Sequence, residues 1–488
     1  MRLFPPVWLS LASLCSADPS SARPSPSSAS PSGASPGAEP SGASPAATES
    51  GWGGSSWAHG WETAAAAWWG YGAMGGSLFT DAEVEFIAKT YKIVALSLCP
   101  SPMNISVSDG ILNVTARIKA ANPSVKVLQY FNTDQWACYP PTDPALQEFL
   151  RHPEWWLRDD HGNPVEFARF HGGFDFSKEA AVQHFLKMPL GASGGVAILD
   201  GFLFDGGSEY SQPPNISASR AESLKLAKWR ALGRQQERLR AANGGLVLAV
   251  RGNPLCVFSE EASRELPQNG MIGGPIDPNV DDPYNLGVLD HVGGIENERG
   301  TPSFELVDPA TGAFRKDAVA ANLAAIENAS LLAQVVSVNY WPGPIVGFAQ
   351  AGSANDNARG LPVYAAGDPH NHAPNGTTRG EVMAGWQEQM AEWLPFNLAM
   401  FLSVAGPSTY FTQMVWYASS EGFLPCPAAP DTCCAPRPFF PEMHKPLGKP
   451  LGPRKKLGGY KWVRRFEHAV VTVDLGEPLG PGTAIEWR

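Results

Sequence analysis

Two apolar runs of this chain end on acids. "GVAILDGFLFDGG", residues 195–207, sets one run between two Asp-Gly pairs and closes it with Asp205, and "VLDHVGGIEN" at 288 brings a second run to Glu296. Two carboxyl groups that share one space can divide acid and base work. One, protonated, assists a departing oxygen, while the other, ionised, acts as nucleophile or as base toward water. Asp205 and Glu296 are the best such pair in the sequence. Asp134, Glu209 and Glu298 are its substitutes, because a slip of one residue in a strand exchanges inward and outward side chains.

The alternation around Asp205 says how it would be presented. Gly201, Leu203 and Asp205 share one face of a strand, and Phe202 and Phe204 share the other, where a bulky pair suits a helix layer. Asp205 is then expected at the C-terminal end, pointing inward. Asp200 falls at the opposite end and on the opposite face, a structural position. Other strand ends repeat the theme. "YFNTDQW" offers Tyr130, Asn132 and Asp134, with Trp136 just beyond; "GGFDFS" offers Asp175; "AVRGNP" offers Arg251 and Asn253. Asn339 and Trp341 end a further run, as do Gln413 and Trp416. Amide and carboxylate groups that pair with hydroxyls, beside aromatic faces that stack on sugar rings, make an inventory suited to a carbohydrate partner.

The elements that must hold these residues alternate. Short apolar runs of strand length begin at 92, 124, 172, 196, 245, 288, 332 and 408, which makes eight. Helical stretches lie between several of them, the pattern of parallel β/α units. "TDAEVEFIAKTY" has Thr80 as its N-cap, a second stretch covers Ser108 to Ala121, and the stretch from 219 carries Leu224, Ala227, Leu232 and Leu239 on one stripe and stops at Gly244. The expected class is α/β, a (β/α)8 TIM barrel over residues 75–430 with a small C-terminal β appendage over 455–488, and a doubly wound open sheet is its competitor. Site residues at the C-terminal ends of the strands suit a barrel, which builds its sites there.

The rest of the chain bounds the setting. Residues 1–17 combine Arg2, an apolar stretch and small residues up to Ala17, which predicts a signal peptide and a secreted or secretory-pathway protein. A Ser/Pro/Ala/Gly tract over 18–50, with "PSGASP" twice, reads as a flexible linker, and 52–72 as a transition into the folded part. Five Asn-x-Ser/Thr sequons, at Asn104, Asn113, Asn215, Asn328 and Asn375, fit a glycoprotein. Cys99, Cys138, Cys256, Cys426, Cys433 and Cys434 allow up to three disulfides, with Cys426 to Cys433 or Cys434 favoured. A net charge of −11 argues against a nucleic-acid partner, and Arg454 to Lys456 read as a solvated loop. Beyond the leader no apolar segment is long enough to span a membrane. Oligomeric state is silent in the sequence.

The motifs "YFNTDQW", "WWLRDDHGNPVEFARFHGGFDFS", "DGFLFDGG", "AVRGNP" and "YKWVRRFEHAVVTVDL…TAIEW", in that order, resemble the hypothetical glycosyl hydrolase family numbered fifteen over roughly residues 85–488. The resemblance implies a (β/α)8 catalytic barrel of the α-galactosidase-like kind, with an acidic residue ending the fourth strand, here Asp205. Glu296 as its partner rests on the strand count instead.

Other chemistries have weaker claims. His370, His372 and Asp368 in "DPHNHAP" could begin a metal site, but no further histidines have matching spacing, so no cofactor or metal is expected. No Gly-x-Ser-x-Gly elbow or phosphate loop is present. Glu467 reads as part of a solvated strand face. The rival is a non-catalytic secreted barrel that binds glycans, since fold alone does not establish chemistry.

Overall fold

The computed structural model describes residues 57–71, 73–74, 77–97, 105–133, 139, 142–165, 173–187, 198–205, 215–251, 292, 294–297, 316–333, 335–340, 379–413, 441–476 and 482–488. A strand β1 (Ala67–Tyr71) and a short hairpin, β2 (Ala73–Met74) with β3 (Ser77–Leu78), lead to α1 (Asp81–Thr90). β4 (Ile93–Ser97), α2 (Val107–Ala121), β5 (Lys126–Asn132), α3 (Pro144–Leu150) and α4 (Glu179–Lys187) follow. Then come β6 (Gly201–Asp205), α5 (Ala218–Asn243), β7 (Leu246–Arg251), β8 (Gly294–Asn297), α6 (Lys316–Leu332), β9 (Val335–Tyr340), α7 (Arg379–Val404) and β10 (Thr409–Gln413). The described chain ends in β11 (Lys455–Gly458), β12 (Lys461–Arg465), β13 (Ala469–Asp474) and β14 (Ala484–Trp487).

Local chemistry sets the helix ends. Thr80 caps α1 in a full capping box: its side chain accepts from the Glu83 amide, and the Glu83 carboxylate accepts from the Thr80 amide. α5 stops where Gly244 takes a left-handed conformation, with φ at 73°.

The eight strands β1, β4, β5, β6, β7, β8, β9 and β10 form one sheet in that order, and every neighbouring pair is parallel. Spatial order follows chain order throughout, without the reversal that defines a doubly wound sheet, so that alternative is set aside. The two ends of the sheet also touch. Ala66 and Phe411 share a parallel bridge, the Phe411 amide donates to the Ala65 carbonyl at 2.8 Å, and Thr412 Oγ1 donates to the Ala67 carbonyl at 3.0 Å.

Among the described residues, side chains on both faces of the sheet are buried. Phe202 and Phe204 belong to the large apolar cluster that includes helix residues such as Phe185 and Leu232, whereas Leu203 joins a separate cluster with Ala67, Ile93, Ala95, Leu128, Val335 and Tyr410. The expected split of the β6 side chains between two layers is therefore present. Asp200, at the other end, accepts from the Val127 amide and ion-pairs with Lys119 and Lys126, a structural role.

Two expectations are corrected. The first strand of the sheet is β1, within the stretch read as a transition and ahead of residue 75, while "GGFDFS" supplies no strand of the sheet. Phe174 there makes one isolated antiparallel bridge, to Trp156, and its ring packs among Phe131, Phe149 and Phe185. Aromatic alternation was satisfied by helix-side packing instead of a ladder. The strand numbering survives, because one strand enters as another leaves: Asp205 still ends the fourth and Glu296 lies in the sixth.

The C-terminal residues form a separate four-stranded antiparallel sheet, in the order β11-β12-β13-β14. Trp462, Phe466, Val471 and Val473 pack into the same cluster as Phe396 and Phe401 of α7. Arg464 reaches from β12 to the end of α7, donating to the carbonyls of Leu402 and Ala405 at 3.0 and 2.7 Å. Lys455 and Lys456 lie on the exposed edge strand β11, a correction to the loop expected there. Among the described residues no helix is long and apolar enough to cross a membrane.

Candidate active site

Asp205 is the last residue of β6 and is half-buried. Its neighbour β5 is in register with it, pairing Asn132 with Asp205 and Tyr130 with Leu203. Because Tyr130 and Asn132 lie two apart on one strand, their side chains share a face, and both reach the same oxygen. The Tyr130 hydroxyl donates to Asp205 Oδ2 at 2.5 Å and Asn132 Nδ2 donates to it at 2.8 Å. Donors aimed at a carboxylate favour its charged form.

The main chain of Asp205 is held as firmly. Thr133, buried just beyond β5, donates both its amide and its hydroxyl to the Asp205 carbonyl, at 2.9 and 2.8 Å. Behind Thr133 stands Lys228 of α5, whose Nζ donates to Thr133 Oγ1 at 3.5 Å. Neither Thr133 nor Lys228 was singled out in the sequence. The available signal for Lys228 was its position, four residues after Leu224 and four before Leu232, a core position of the helix.

Glu296 stands in β8, where its backbone is in register with Val250 on one side and Ser337 on the other. Phe204 pairs with Ala249, so Asp205 and Val250 occupy the next row, the same row that continues to Glu296. The two acids thus sit on one row of the sheet, two strands apart. At about 4.8 Å per strand, their backbones are roughly 10 Å from one another.

The remaining expected residues divide. Gln413 is buried at the end of β10, in register with Tyr340. Arg251 ends β7 opposite Asn297, and Asn339 in β9 pairs with Thr412. Asp175 is corrected: it lies in a turn ahead of α4, where its carboxylate accepts from the Ser177 amide at 3.0 Å and the Ser177 hydroxyl at 2.5 Å. It caps a turn and is buried, not set at a strand end. Asp134, Trp136, Asn253, Trp341 and Trp416 lie outside the described residues, as do Glu209, Glu298, the His370–His372 segment, all the cysteines and residues 1–56. Glu467 is exposed and accepts from the Lys449 amide. Three sequon asparagines, Asn113, Asn215 and Asn328, are exposed.

No family model matches the chain, and no curated protein matches it. Solved structures resemble it loosely. Against the α-amylase from Geobacillus thermoleovorans in complex with acarbose, the TM-score is 0.41 at 9% identity, covering 85% of this chain and 86% of that one. The trehalose-6-phosphate hydrolase TreA of Bacillus licheniformis gives 0.39 at 9% identity, covering 73% and 65%, so this chain spans just under two thirds of its length. The xylosidase from Aspergillus niger gives 0.37 at 12% identity, covering 76% and 48%. With scores this low, the fold rests on the strand register described above.

Proposed function

We propose that the chain is a glycoside hydrolase whose eight parallel strands close into a (β/α)8 barrel, with Asp205 as nucleophile or base and Glu296 as the acid. The observation that carries the reading is Asp205 itself. It is an acid at the C-terminal end of a parallel strand, half-open to solvent, with a phenol and an amide converging on one carboxylate oxygen. Parallel β/α sheets build their sites at that end. The edge-to-edge contact between Ala66 and Phe411 supports closure of the sheet.

In this reading the substrate is an oligo- or polysaccharide. Glu296 gives its proton to the glycosidic oxygen as the bond from that oxygen to the anomeric carbon breaks. Asp205 either bonds to that carbon, giving an ester that water then cleaves while Glu296 takes the water's proton, or itself takes a proton from the attacking water. Backbones two strands apart set the acids on the scale at which carboxyl groups can flank one sugar ring. The chain is also proposed to be secreted and glycosylated, with a leader at 1–17, a linker at 18–50 and the catalytic part over 75–430 extended to include β1.

The roles separate experimentally. Glu296→Gln should lose hydrolysis of natural glycans by about 10²–10⁴-fold while keeping activity on aryl glycosides, whose leaving groups need little protonation. Equal loss on both substrate types contradicts Glu296 as the acid. Unaltered glycan binding without sugar release by the wild-type protein would favour the non-catalytic glycan-binding alternative.

A further inference from the structure

Lys228 is buried on α5, a helix whose other buried side chains, among the described residues, are Ala221, Leu224, Trp229, Ala231, Leu232 and Leu239 with the amides Gln235 and Gln236. Leu224 and Leu232, one turn before and one turn after it, are both buried. Among the described residues no other lysine or arginine is classed with the buried side chains. Enclosing a cation is costly unless electrostatic partners compensate it, and an aliphatic side chain of similar length would fill a core position without that cost. A lysine there therefore calls for a use beyond packing.

Its surroundings point to one. Lys228 Nζ donates to Thr133 Oγ1, and Thr133 donates its hydroxyl and its amide to the Asp205 carbonyl. One hydroxyl thus joins a buried cation to the main chain of the candidate nucleophile. The other groups around Asp205 are known by element. β5 brings Tyr130 and Asn132, β7 meets the row with Val250, and β8 carries Glu296 on the same row. α5 brings the buried amine of Lys228, and Arg251 ends β7 one residue beyond the Asp205 row.

We propose that Lys228 is a positioning residue of the Asp205 site: through Thr133 it fixes the main chain at the end of β6, and its charge keeps the Asp205 carboxylate ionised when bound sugar displaces water. Its meaning for catalysis rests on the glycoside hydrolase reading, while the electrostatic link itself is measurable without turnover. The influence of a fixed positive charge on a nearby carboxylate gains strength as water leaves.

The test is titration of Asp205 in the full chain labelled with carboxyl-¹³C aspartate, the Asp205 resonance being identified by its absence from Asp205→Asn. In Lys228→Met the Asp205 midpoint should rise by about 0.5–1 pH unit, and the acidic limb of kcat/KM should move the same way. An unchanged midpoint in folded Lys228→Met overturns the proposal, whatever the activity. Should that variant not fold, Thr133→Val severs the relay at nearly constant volume, and an unchanged midpoint there overturns the proposal equally. A wild-type protein that releases no sugar, combined with a midpoint that moves, removes the glycosidase reading and leaves the link in place.

Discussion

The hydroxyl of Tyr130 and the carboxylate of Asp205 meet at 2.5 Å across the third and fourth strands of the parallel sheet. A bond of this kind, to a charged acceptor, contributes about 1.5–3 kcal/mol. Tyr130→Phe removes the donor and little else, since the ring stays in place. Sugar release should fall by roughly 10- to 100-fold, with the acidic limb of the pH–rate profile displaced upward. Steady-state kinetics across pH 4–8 would check this, and a variant with an unmoved limb would deny Tyr130 a part in charging Asp205.

Phe204, next to Asp205, faces the other layer and is fully buried against Phe131, Phe185 and Phe202. Phe204→Ala should destabilise the protein by about 3–5 kcal/mol through lost burial and the cavity left behind. Urea unfolding followed by intrinsic fluorescence measures it. A cost below about 1 kcal/mol would mean that this layer is not close-packed around β6.

How far the sequence disclosed this arrangement can be judged from β6 and β1. "GFLFD" alternates glycine, leucine and aspartate with two phenylalanines, and a period of two is enough to sort Leu203 from Phe202 and Phe204. "AWWGY" has no comparable alternation, and what makes it a strand is its pairing with β4 and the bridge from Ala66 to Phe411, contacts made with residues distant in sequence. "GGFDFS" shows the reverse error: its two phenylalanines have strand spacing, but they bury against α4 while Asp175 closes a turn. The partners of Asp205 were half legible. Tyr130 and Asn132 stood out by parity, whereas Thr133 and Lys228 matter through a backbone carbonyl and a helix face that only the folded chain brings together.

Arg464 holds the C-terminal sheet to the end of α7. Partial burial pulls its guanidinium down to about 10, so it is charged at neutral pH, and the two hydrogen bonds from its Nη1 satisfy carbonyls that the helix leaves unpaired. Arg464→Met should lower stability by about 1–3 kcal/mol, read as a fall in melting temperature. No change would show that the appended sheet is fastened by its apolar contacts alone.

His184 of α4 offers a pH prediction. Burial beside Trp155 and Phe174 pulls its imidazole below the ordinary value of 6.5, while its Nε2 proton is donated to the Ala145 carbonyl. The folded state therefore binds the proton less readily than the unfolded chain, so the contribution of His184 is full above pH 6.5 and is lost as pH falls through the lowered folded value. His184→Gln should flatten the drop in urea midpoint between pH 7.5 and 5.5 relative to wild type. Parallel curves for the two proteins would contradict the assignment.

The most direct test of the account is sugar release from a panel of polysaccharides by the wild-type protein and by Asp205→Asn, with matched circular dichroism spectra and melting temperatures. Release by the wild type is expected, with a loss of about 10³-fold or more in the variant, since an amide can be neither nucleophile nor base. A folded Asp205→Asn that retains wild-type release would contradict it.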